Sequence, residues 1–210
     1  MAFVKRQAPD DLTITQDKRE NERDFQGLLL ELNSPDVTVR RWAVRDLMQI
    51  PESSPFLVTR LGFEENISVR AGILNSLAHL GDNVAIAGLV SCLRSEDAAL
   101  RNEAIDVLKE VPDKVEPIMS NLLTDLDSDV RIFAVNILES LRHYNVEQWL
   151  IEVIEKDPHI NVCATALDLL SEVGTEKSIP ALTQLKARFE DEPYICFSTD
   201  LALKRIIEGS

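Results

Sequence analysis

Residues 36–51 read DVTVRRWAVRDLMQIP, and residues 127–142 read DSDVRIFAVNILESLR. Each opens on Asp, carries Val three residues later and Arg next. Beyond the Arg, Ala stands at three, Val at four and Leu at seven. The frame returns as NISVRAGILNSLAHLG at 66–81, DAALRNEAIDVLKEVP at 97–112, HINVCATALDLLSEVG at 159–174 and EPYICFSTDLALKRII at 192–207. Its anchors, Arg40, Arg70, Arg101, Arg131, Cys163 and Cys196, follow one another at steps of 30, 31, 30, 32 and 33 residues. A fixed period of that length marks stacked supersecondary units.

Counted from the anchor, apolar residues recur at offsets −1, 3, 4, 7 and 10, as in Val39, Ala43, Val44, Leu47 and Ile50. These offsets trace one wide face of an α-helix. The small residue at offset 3 lets a neighbouring helix come close. In the last segment Leu201, five on, is read as the core residue, and Asp200 is read as surface. A shorter helix is expected ahead of each, over 25–32, 56–62, 84–93, 115–123, 146–154 and 179–189. Asp36 is a good N-cap. Pro51, Gly81, Pro112 and Gly174 stop the longer helices. Asp157-Pro158 and Glu192-Pro193 are read as opening the last two.

The expected fold is therefore all-α, a superhelix of about six helical hairpins. The units run over about 23–52, 53–82, 83–113, 114–144, 145–175 and 176–207, behind a polar leader, 1–22, that is expected to be partly disordered. One hairpin cannot bury its apolar face, whereas six stacked together share one elongated core.

Composition narrows the function. Aromatic residues make up only 5% of the chain against 45% hydrophobic, so the core is aliphatic. The formal net charge is −14. Such a surface repels phosphate backbones and anionic lipid, so neither nucleic acid nor membrane is an expected partner. No apolar run reaches the length of a membrane span. Three scattered cysteines, Cys92, Cys163 and Cys196, are expected to be reduced thiols in a cytoplasmic protein.

The D-x-x-V-R-x-x-A-x-x-x-L frame resembles HEAT repeats, specifically the short bacterial HEAT-like type named from phycobilisome lyases. It is carried by Asp36/Val39/Arg40/Ala43/Leu47 and Asp127/Val130/Arg131/Ala134/Leu138, and nearly as well by Asn66/Val69/Arg70/Leu77 and Asp97/Leu100/Arg101/Ala104/Leu108. The resemblance spans roughly 23–207. It implies a structural ladder in which Asp36, Asn66, Asp97 and Asp127 link with Arg40, Arg70, Arg101 and Arg131. Where Cys replaces Arg, the ladder is expected to end, leaving the C-terminal third to apolar packing or a different curvature. The resemblance also implies that the second helix of each pair lines a concave wall.

Chemistry is sparse. A di-iron hydroxylase of this architecture needs His-Glu pairs, but His79, His143 and His159 precede Leu80, Tyr144 and Ile160. Cys163, Cys196 and His159 make at most three convergent zinc ligands, short of a tetrahedral set. No nucleophile motif or phosphate loop is present. No cofactor, metal or catalytic residue is expected. The enzymatic alternative is a bilin-lyase-like subunit, for which Arg41, Trp42 and Arg45 are the available pigment contacts.

The leading expectation is a non-catalytic adaptor whose concave face holds another protein or peptide, with a basic segment against Asp106, Asp168 and Glu172 and an acidic or apolar one near Trp42 and Arg45. Its wall residues are Arg41, Trp42, Arg45, Asn75, His79, Glu103, Asp106, Phe133, Asn136 and Asp168. They run from basic and aromatic, through amides, to acidic. Trp42 and Phe133 have a second reading, as residues packed within the array, and the acids have one as a solvated face.

Overall fold

The computed structural model describes residues 23–141 and 143–209. The leader expected at 1–22 lies outside the described residues. Among the described residues there are helices and no strands. The chain forms hairpins of α1 (Phe25–Glu31) with α2 (Val37–Leu47), α3 (Ser54–Leu61) with α4 (Ile67–Leu80), and α5 (Asn83–Cys92) with α6 (Ala98–Lys109). There follow α7 (Pro112–Leu122) with α8 (Ser128–Leu138), α9 (Val146–Lys156) with α10 (Ile160–Val173), and α11 (Ile179–Arg188) with α12 (Pro193–Glu208).

Local chemistry sets these boundaries. Asp36, Asn66, Asp97 and Asp127 each accept a backbone N–H in the first turn of their own second helix. Such caps satisfy donors that the helix itself cannot. Gly81 ends α4 at φ 57°, a left-handed backbone that favours glycine. Pro112 and Pro193 open α7 and α12. Pro158 does not open a helix: α10 begins at Ile160 with His159 as its cap, and Pro158 lies before it.

The repeated apolar offsets fill one continuous core. Ala43, Ala104, Ala134 and Ala166 at offset 3, and Leu47, Leu77, Leu108, Leu138 and Leu170 at offset 7, are buried. Each buried leucine contributes about 2 kcal/mol of apolar transfer. Gly88 is required by packing, because a Cβ there would fall 2.4 Å from Val58 Cγ2. In the last hairpin the slip resolves against Leu201, which is 55% exposed, while Ala202 and Ile206 are buried. Offset 4 faces the next hairpin, as Val44 does beside Gly72 and Ser76 of α4. No described helix follows α12, so polar Asp200 stands at that offset and pairs with Lys186 of α11 at 2.5 Å.

The second helices form an unbroken series, α2–α4–α6–α8–α10–α12, each packed on the next. Among the first helices only α3–α5 and α9–α11 approach closely. An array bends toward its more tightly spaced layer, so the second helices line the inner wall. Clefts of about 560 and 370 Å³ open on either side of α7 in the outer layer.

Candidate protein-binding surface

The anchors at the base of the wall are largely used up in holding the stack. Arg40 donates Nε and Nη2 to the two carboxylate oxygens of Glu64 at 2.9 Å each, and Nη1 to the carbonyls of Ser34 and Pro35. Arg60 shares Glu64 at 2.6 Å. Burial alone would raise the Glu64 pKa, but Arg40, the Asn66 N–H and Arg60 outweigh it and hold the group at about 2. Arg70 reaches Asp97 at 2.7 Å and grips Glu103 through two bonds of 3.0 Å. Arg131 grips Asp157 at 2.6 and 3.0 Å.

Among the interactions of the described residues, Arg70–Asp97 is the one pair of the expected Asp–Arg ladder that links adjacent repeats as drawn from the resemblance. Asp36 and Asp127 cap their own helices. Arg101 donates to the Ser95 carbonyl at 2.5 Å and lies 5.9 Å from the centre of the Phe133 ring. The reason is positional. Glu64 and Asp157 stand six residues before the anchors Arg70 and Cys163, in the loop that the preceding guanidinium overhangs. Repeat three has Ser95 there, so Arg70 turns to Asp97 and Glu103 instead. Repeat four has Asp125 there, already paired with Arg94.

The cysteine repeats keep half of this arrangement. Arg40, Arg101 and Arg131 each donate to the carbonyl six residues back, and Cys163 and Cys196 do the same toward Asp157 and Glu190 at 3.3 and 3.5 Å. The inter-repeat charge is supplied from the other side, where Arg188 of α11 donates to Cys163 Sγ at 3.0 Å and to the Glu155 carbonyl at 2.9 Å. The C-terminal third is thus tied by polar bonds as well as apolar packing.

The wall residues fall into separate groups. Arg41, Trp42, Arg45 and Asn75 come together in a cleft of about 410 Å³ between α2 and α4, with Gly72 in its lining. Asn136 and Asp168 meet Glu139 and Glu172 in a smaller cleft of about 190 Å³ between α8 and α10. Glu139 is paired with Lys109 at 2.8 Å, and Asp168 accepts from the Tyr194 hydroxyl at 2.5 Å. His79 and Asp106 are exposed but line neither cleft. Glu103 is half-buried and committed to Arg70, which removes it from the free acids of the wall. Phe133 is half-buried against the core beneath Arg101.

The sequence pattern did not single out Glu64, which stands two residues before the cap Asn66, and it assigned Asp157 with Pro158 to a helix opening rather than to an ion pair. It also missed Phe197 and Leu201. They stand at offsets 1 and 5, equivalent to Arg41 and Arg45, and are 70% and 55% exposed. The C-terminal end of the wall is therefore acidic and apolar together.

No curated protein sequence matches the chain. Solved structures are similar at low identity. An archaeal HEAT-like repeat protein from Thermococcus onnurineus is 20% identical over 87% of this chain and 89% of its own, with a TM-score of 0.44. Human deoxyhypusine hydroxylase is 14% identical over 87% and 84%, with a TM-score of 0.45. The CpcE–CpcF complex of phycocyanin lyase from Nostoc is 15% identical over 91% and 99%, with a TM-score of 0.37. The HEAT-repeat family model matches residues 25–109 and 115–193, from α1 to the start of α12, and the chain belongs to that family.

Proposed function

We propose that the inner wall holds a protein partner without catalysis, and that its C-terminal half takes a basic segment bearing apolar residues. The observation that carries this reading is the sorting of charge on equivalent wall positions. The ladder arginines Arg40, Arg70 and Arg131 are paired with acids inside the stack, whereas Asp106, Glu110 and Glu172 stand exposed and form no ion pair among the described residues. On α12, at the C-terminal end of the same wall, lie Phe197 and Leu201, large apolar groups open to solvent. A surface of one sign steers an oppositely charged chain, and exposed aromatics supply anchors once it arrives.

The test is affinity capture from the parent cell with mass-spectrometric identification, repeated with D106K/D168K/E172K. A partner held by the wild type and lost by the triple variant, with an unchanged helical signal, supports the wall. Equal capture by both proteins refutes it.

A further inference from the structure

The cleft between α2 and α4 has the opposite character to the rest of the wall. Arg41 and Arg45 stand one turn apart on α2 and are exposed. Among the described residues Arg41 forms no ion pair, and Arg45 pairs only with Asp46, at 3.3 Å, which Arg23 also contacts. Trp42, Val44 and Met48 supply apolar lining, and Asn75 and Ser68 supply polar groups.

Gly72 opens the floor. It lies inside α4, where glycine weakens a helix relative to alanine. Packing does not require it, because a Cβ there would meet only Val44 Cγ1, at an ordinary 3.4 Å. Gly88, by contrast, has no room for a Cβ at all. A larger side chain at 72 would project into the cleft, so the glycine keeps that space available.

We propose that this cleft binds an acidic segment of a partner protein, with an aliphatic side chain over Gly72 and carboxylates on Arg41 and Arg45. Cβ atoms one helical turn apart are about 6 Å from each other. Carboxylates on alternate residues of an extended chain are about 7 Å apart, a close match. The acidic half of the wall begins at α6, so α4 and its neighbours separate it from Arg41 by more than the Debye length of about 8 Å at physiological salt. Local attraction therefore outweighs the net charge of the whole chain. This inference rests on the wall reading above and assigns the wall's other end.

The probe is an acetylated, amidated Glu-Leu-Glu-Leu-Glu peptide, titrated into full-length protein carrying W149F, which leaves Trp42 as the only tryptophan. A saturable change in Trp42 emission is expected, absent with Lys-Leu-Lys-Leu-Lys and with Ser-Leu-Ser-Leu-Ser. R41E/R45E is expected to weaken binding at least about tenfold. Gly72→Gln is expected to abolish it with the melting temperature little changed. No saturation, an equal response to either control peptide, or binding that survives R41E/R45E overturns the proposal. The two readings fail separately. Wall-dependent capture without acidic-peptide binding removes only this cleft, and acidic-peptide binding with capture indifferent to D106K/D168K/E172K removes only the acidic half.

Discussion

Arg131 and Asp157 form a two-pronged ion pair, at 2.6 and 3.0 Å, between the fourth and fifth hairpins. Both side chains are nearly enclosed, at 11% and 6% exposure. Asp127, which the family pattern matches to the same arginine, caps α8 and is exposed. The two acids therefore differ in what their loss does. Asp157→Ala strands a guanidinium and should cost roughly 3 kcal/mol. Asp127→Ala removes a cap and should cost about 1 kcal/mol. Urea unfolding of the two variants checks the ranking, and equal losses would contradict it.

Glu64 makes the corresponding bond between the first and second hairpins, and its titration gives a pH signature. Its pKa falls from 4.5 to about 2 on folding. A depressed carboxylate contributes stability that is complete above the unfolded value and disappears as pH drops through the folded one. The shift corresponds to about 3 kcal/mol. E64Q should therefore be less stable than wild type at pH 7 by about that amount. The gap should narrow steadily below pH 4.5, as followed by thermal melts across that range. A gap independent of pH would show that the carboxylate's charge is not what matters.

The anchors and offsets made the helices and the core legible, since a period of 30 to 33 residues with apolar offsets −1, 3, 4, 7 and 10 has one physical solution. The polar bonding was less legible, because a guanidinium on a flexible stem chooses among acids that sequence places only within a few residues. Arg40 passes over the Asn66 cap position for Glu64, two residues earlier. Leu201 was misread for a different reason. Offset 4 is apolar only where another hairpin follows, and α12 has none among the described residues. Arg41, Trp42, Arg45 and Asn75 were identifiable as neighbours because offsets 1, 2 and 5 repeat on adjacent helices.

Glu31 is 1% exposed, and neither carboxylate oxygen has a hydrogen-bond partner among the described residues. An unpaired buried polar group costs roughly 1–3 kcal/mol or more. Glu31→Leu keeps similar bulk and removes that cost, so it should raise the melting temperature. A lower melting temperature would mean that the carboxylate has a stabilising role.

The two helical glycines make opposite predictions. Gly72→Ala adds a methyl at ordinary contact distance and removes backbone freedom from the unfolded chain, so it should stabilise by about 0.5–1 kcal/mol. Gly88→Ala drives a methyl into the branched Val58, 2.4 Å away, with α3 and α5 closely packed. Overpacking of that kind costs roughly 1–3 kcal/mol. G88A combined with V58A should recover part of the loss, because the obstructing methyls are gone. Failure of that rescue would place the strain elsewhere.

The cysteines separate by environment. Cys92 and Cys163 are buried, and burial pushes both thiols up, with Arg188 only partly offsetting this at Cys163. Thiolate is the reacting form, so both are shielded twice, from reagent and from ionisation. Cys196 is only half-buried near the start of α12. A disulfide-exchange reagent at pH 8 should therefore modify Cys196 promptly and the other two only on unfolding, with peptide mapping to assign the sites. Arg188→Met removes the guanidinium beside Cys163 without opening a path to solvent, so Cys163 should stay unreactive even as that hairpin loosens. Fast labelling of Cys163 in the native wild type would mean that α11 lifts away from α9 and α10 far more readily than its packing implies.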